Sequence, residues 1–313
     1  MPIADQYLRE LERAAGYKSE WLRLSMEREQ FHNPTKNASP PNSSPTPSES
    51  TLIDQFSKSI EPTSSIETLS NRIFDLMAGI SLARREELIP FALEKLFETR
   101  NSSIENGKNA SLPEALALAN IRLSSKPKAM AFIEAWLIEH APAKSIGSAT
   151  TARAIGDAVY ISGNPTGAIE YYRVALDKNP HDVNSANNLA AAIAEQEDTE
   201  GEAYKWVDIA IEMEPNNPER KDTKLVVAIL IKDWDQAMEI SKQLSDQYSG
   251  NILMHRAIVA SETGHIDEAK NLFDQSRDAN VESTLIVPSD KQMFRRLQSL
   301  FMNVDQQVGQ PVS

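Results

Sequence analysis

The chain contains no cysteine. That removes disulfides, thiolate metal sites and cysteine nucleophiles together. Glycine is sparse, 11 among 313 residues, and no glycine-rich phosphate loop is present; Gly147 and Gly156 stand isolated. No G-x-S-x-G serine and no H-E-x-x-H helix occurs, so two common hydrolytic arrangements are missing. The five histidines, His32, His140, His181, His255 and His265, include no pair at metal-ligand spacing and read as surface or turn residues. Acid pairs such as Glu86–Glu87 read as solvated helix faces. Neither catalytic residues nor a metal or cofactor is therefore expected.

Long apolar runs are also lacking. The longest, Leu225 to Ile231, is far too short to span a bilayer. The first residues, MPIADQYLRELERAAGYKSEWLRL, are charged throughout and hold no apolar core of signal-peptide type. A cytoplasmic chain, with no membrane partner, is the expectation. Bases are outnumbered, 32 against 45 acids, for a net charge of -13. Such a surface repels phosphate backbones, so nucleic acid is not expected as a partner.

What is present is helical periodicity. In residues 3–31, Ile3, Tyr7, Leu11, Ala14, Trp21, Leu24 and Phe31 fall mostly three or four apart, with Arg, Lys and Glu on the other face. This predicts an N-terminal amphipathic helix over 1–32. Residues 33–50, NPTKNASPPNSSPTPSES, carry five prolines and no large apolar residue. They cannot bury enough surface to offset their ordering entropy and read as a disordered linker. Residues 51–145 return to helical patterning, with Ile66 to Ile80 and Leu88 to Phe97 marking two helices and a hairpin following at 110–143. Pro113 and Pro127 suit the first turns of that hairpin's helices.

From 146 onward the pattern repeats. Ala168, Ala203, Ala237 and Ala269 are spaced 35, 34 and 32 residues apart. Four residues after each stands Tyr172, Val207, Ser241 or Phe273, and twelve or thirteen before stands Gly156, Ala190, Leu225 or Ala257. Two antiparallel helices crossing closely need small residues at the crossing, so Gly156 is expected to face Ala168 and Ala190 to face Ala203. The larger residues would plug the gap to the next hairpin. Gly163 and Gly264 would supply the turns within hairpins, and Pro180 and Pro215 would end helices. After the last repeat, Ser289 and Gln292 suggest a capping box opening a helix lined by Met293, Phe294, Leu297, Leu300, Phe301 and Val304. That helix, over 289–304, would cap the stack, leaving 305–313 as a disordered tail.

On these residues the chain resembles the tetratricopeptide repeat family, whose period of about 34 residues it shares. The resemblance covers roughly 149–281, with a degenerate further unit at 110–143 centred on Ala129, Ile133 and Trp136. It implies an all-α protein, an α-solenoid of helical hairpins. It also implies a concave groove lined by the first helix of each hairpin. In this register the groove is Arg153, Asp157 and Tyr160, then Asn184, Asn187, Asn188 and Ala191, then Asp222, Val226 and Ile229, then Asn251, Met254 and Ile258. Amide side chains there could pair with an extended peptide backbone; as plain polar surface they would do nothing. Some family members clamp a C-terminal carboxylate. Arg153 and Asn188 fit that pattern, while Asp157, Glu219 and Thr223 do not, so a carboxylate clamp is not expected.

The resemblance thus points to an interaction scaffold for a protein or peptide partner. Nine acids against Lys205 alone between Glu195 and Glu219 would favour a partner with a basic segment, or would simply be a solvated edge. The N-terminal helix would be a second docking element or a lid. Two alternatives stay open at this level: a structural or regulatory subunit of a larger assembly, and an enzyme whose site lies in 51–145.

Overall fold

The computed structural model describes residues 47–59, 65–82, 85–101, 112–196, 200–247 and 249–305. The expected N-terminal helix over 1–32 and most of the linker and tail lie outside them. The described residues form fourteen α-helices and no strand. They divide into two compact units, one ending at Ser145 and one beginning at Ile146.

In the first unit α1 (Pro47–Ser59), α2 (Ile66–Leu82), α3 (Ile89–Asn101), α4 (Leu112–Arg122) and α5 (Pro127–His140) pack together. The start of α1 corrects the linker boundary, because residues 47–50 are helical. Pro47 can open a helix, where its missing N–H costs nothing, and Ile53 is buried further along. Helix α1 packs on α3, α2 on α4, and α4 and α5 form the hairpin expected at 110–143. Ala129, Ile133 and Trp136 are buried in it. Trp136 stacks on His140 with ring centroids 4.5 Å apart and meets Phe97 edge-on at 5.7 Å.

The second unit is a run of four helical hairpins: α6 (Ala149–Ile161) with α7 (Pro165–Lys178), α8 (Val183–Ala194) with α9 (Glu200–Met213), α10 (Pro218–Leu230) with α11 (Trp234–Gln243), and α12 (Gly250–Glu262) with α13 (Ile266–Asp278). Helix α14 (Pro288–Asp305) follows, so Asp305 belongs to a helix and not to the tail. Each first helix opens on a side-chain cap at a repeating position. Ser148, Asp182, Asn217 and Ser249 accept from Thr151, Ser185, Glu219 and Ile252 backbone N–H groups respectively. Such caps satisfy donors that have no partner inside the helix and are worth about 1 kcal/mol each.

The crossing within each hairpin is as close as the small residues allow. Ala168, Ala190, Ala203, Ala237, Ala257 and Ala269 have no exposed surface. At Gly156 the neighbour differs from the one expected. A Cβ there would lie 2.7 Å from Cε1 of Tyr172, so the glycine makes room for the tyrosine ring and not chiefly for Ala168. In the first, third and fourth hairpins the turns hold to register five residues before the repeat alanine. Gly163 has φ of 94°, Gly264 of 85°, and Lys232 takes the same left-handed place in the third hairpin with φ of 62°. The third hairpin has the shortest second helix, ten residues. Ile240 and Leu244 are buried there, filling the space that Ser241 is too small to plug.

Consecutive first helices α8, α10 and α12 pack on one another, and α6 touches α8, whereas consecutive second helices lie further apart. The first helices therefore line the inner face of the stack.

Candidate functional site

Of the thirteen residues expected to line a groove, six, Arg153, Asp157, Tyr160, Asn184, Asn188 and Asp222, are engaged in bonds between hairpins. Asp157 on α6 accepts from the Tyr172 hydroxyl at 3.0 Å and from the Asn188 amide of the next hairpin at 2.9 Å through the same Oδ1. Burial raises the Asp157 carboxyl above its ordinary range; the Asn188 and Tyr172 hydrogen bonds and the Arg153 charge oppose this only in part. The same enclosure, with Asp157 beside it, pushes the Tyr172 hydroxyl well above its usual value.

The other amides have comparable roles. Asn187 donates to Asn188 at 3.2 Å. Asn184 accepts from the buried Arg220 at 2.7 Å, while Arg220 Nε donates to Glu214 at 2.9 Å. Asn251 accepts from Thr284 at 3.2 Å. Arg153 lies 3.6 Å from the cap residue Asp182. Arg153 and Asn188, the two residues fitting a carboxylate clamp, thus both have partners within the stack. Asn184, Asn188, Ala191, Asn251 and Arg153 remain half-buried. Val226 and Ile229 are buried, 7% exposed each, and Met254 and Ile258 are closed off more completely, at 0% and 1%.

Met254 and Ile258 belong to a core that α14 shares with α12. Both join a core cluster with Met293, Phe294, Leu297 and Phe301, and the rings of Phe294 and Phe301 lie 5.5 and 6.1 Å from Phe273. Arg296 pairs with Glu262 at the far end of α12. The helix begins at Pro288, so Ser289 is its second residue, not its N-cap. Its buried hydroxyl lies against Tyr160 and bonds to no backbone group of its own first turn, so the expected capping box does not form.

One residue read as surface proves central. His255 is 2% exposed and lies between two carboxylates, its Nδ1 2.9 Å from Asp222 on α10 and its Nε2 3.4 Å from Asp290 on α14. Burial works against a charged ring, but Asp222 and Asp290 outweigh it and raise His255 to about 10. The ring is an imidazolium bridging three helices. The sequence signal was available: His255 and Arg256 interrupt an otherwise apolar helix, Ile252 to Ala260, every residue of which is buried. Arg256 directs Nη1 to the Leu244 and Ser245 carbonyls, each at 3.4 Å, closing the end of α11. Tyr160, also on the inner face, donates to Glu195 at 2.7 Å. Burial and the Glu195 charge hold its hydroxyl well above the usual range.

The acidic stretch 195–219 is partly neutralised by neighbouring helices. Arg173 reaches Glu202 at 2.9 Å, Lys224 reaches Asp208 at 2.7 Å and Arg220 reaches Glu214. In the first unit Asp75 is raised by burial against the opposing charges of Arg122 and Arg72. Among the described residues no three His, Asp or Glu side chains gather as a metal site would require. No described helix is long and apolar enough to cross a membrane.

Capped hairpins, small-residue crossings and an inner face of first helices define a helical-repeat protein. A tetratricopeptide repeat model matches residues 153–218, so that stretch of the chain carries tetratricopeptide repeats. Among solved structures, "MamA MSR-1 C2" is similar over 55% of this chain and 99% of its own, at 16% identity and a TM-score of 0.37. That likeness is too slight to carry an argument. No curated protein matches the sequence. Repeats of this kind support a protein-interaction scaffold in general.

Proposed function

We propose that the inner face of residues 146–313 holds a partner peptide or domain, with Arg153, Asn184, Asn188, Ala191 and Asn251 at the contact. The supporting observation is the side-by-side packing of first helices, which makes one continuous face of half-buried polar side chains. The amides act there as a rigid, mutually bonded surface and not as free hooks, since Asn188, Asn184 and Asn251 already hold neighbouring hairpins. Such preorganisation lowers the entropic cost of binding. The acidic stretch adds a preference for basic partner segments, through exposed Glu212 and Glu219 at its edge.

Ala191 offers the cleanest test, because an arginine there obstructs the inner face without removing any bond of the stack. Partners would be captured from cell extract on wild-type chain and on Ala191→Arg, then purified and titrated by calorimetry. Binding should fall at least about tenfold in the variant, given how little misfit an interface centre tolerates. Partners held equally by both proteins would sink the groove reading. Loss of affinity with added salt would support the basic-segment preference.

A further inference from the structure

Helix α14 does more than close one end of the stack. Its first turn reaches back over the inner face to the first hairpin. Pro288 Cγ lies 3.9 Å from where a Cβ on Gly163 would stand. Ser289 is buried against the Tyr160 hydroxyl of α6, and Asp290 is close enough to act on the same hydroxyl. Asp290 meets His255 of α12, which in turn holds Asp222 of α10. One turn of helix therefore meets the first and fourth hairpins and, through His255, is linked to the third. Beyond it, Phe294 and Phe301 bring their rings against Phe273, and Met293 and Leu297 join the core cluster that holds Met254 and Ile258.

From this arrangement we infer that the inner face is a docking site for an amphipathic helix with a carboxylate in its first turn, and that α14 occupies it in cis. The inference rests on the groove reading above and names the partner's chemistry. The occupant is specified by what the face presents. His255 lies where the first turn enters, and its Nε2 fits an acidic side chain. Met254, Ile258 and Phe273 follow where apolar residues at helical spacing land. A partner helix of this pattern competes with α14 for the same ground, and its apparent affinity is lowered by the fraction of chains in which α14 is docked. The joint at 285–287, non-helical between Thr284 and Pro288, is where such a release would hinge.

The test uses the full chain and a fluorescent peptide with the sequence of residues 286–305. Asp290→Arg places a cation against His255 and should free α14, read as faster hydrogen exchange over 288–305 with α6 to α9 still protected. Peptide binding by this variant should exceed wild type about tenfold or more. Adding Phe273→Ala, which removes the apolar seat, should abolish the gain. A milder variant, Asp290→Asn, should show the same direction if the first proves unstable. Release of α14 without gain in peptide binding overturns the inference, and so does α14 remaining protected in both variants. Neither result touches the groove reading, which stands or falls on whether a captured partner depends on Ala191.

Discussion

Lys232 occupies a left-handed backbone position, φ 62°, that the first and fourth hairpins give to Gly163 and Gly264. A side chain there costs on the order of 1 kcal/mol relative to glycine. Lys232→Gly should therefore raise the unfolding free energy by up to about 1 kcal/mol once glycine's unfolded-state entropy is subtracted, seen as a higher urea midpoint at unchanged m-value. Gly156 is the opposite case. Alanine is the better helix former by about 1 kcal/mol. Its Cβ, however, would sit 2.7 Å from a fully buried Tyr172 ring that is tied to Asp157. Gly156→Ala should thus destabilise by about 1–3 kcal/mol, as overpacking does, and a melting temperature no lower than wild type would refute the contact. Asp157→Ala should cost a similar amount, about 1–3 kcal/mol, because it strands the buried Tyr172 hydroxyl.

At the scale of elements, the repeat register was legible because it depends on short-range needs. A cap residue, a left-handed turn and a small crossing residue recur at fixed spacing, and each is enforced by local geometry. The join of α10, α12 and α14 was not legible, since Asp222, His255 and Asp290 are more than thirty residues apart. Its charge state has a measurable consequence. With a folded value raised to about 10 from 6.5, His255 contributes stability that is full below the unfolded value and lost as pH rises through the folded one. Unfolding free energy should thus drop by on the order of a few kcal/mol between about pH 7 and about pH 10. His255→Gln should flatten that fall and be less stable at neutral pH, where two carboxylates are left without their cation. A pH profile with the same slope in both proteins would show that the ring is neutral when folded.

For the whole molecule, the second unit has its own continuous core, running from Leu225 to Phe301 in one cluster and capped at each first helix. Residues 146–313 made alone should unfold cooperatively, checked by coincident circular dichroism and fluorescence transitions in urea. Composition and spacing by themselves determined that this chain is helical and that hairpins recur from 146 onward, because helical period and close crossings are written in nearest neighbours along the chain. Whether the inward residues are free or bonded was decided only by folding. Asn184, Asn188 and Asn251 were chemically suited to hold a peptide, yet each found a partner in an adjacent helix or loop. Met254 and Ile258 were suited to line a groove, yet they are buried in a core that α14 shares. Such outcomes depend on which distant groups reach one another once the stack has formed, and desolvation then makes pairing far cheaper than leaving them bare.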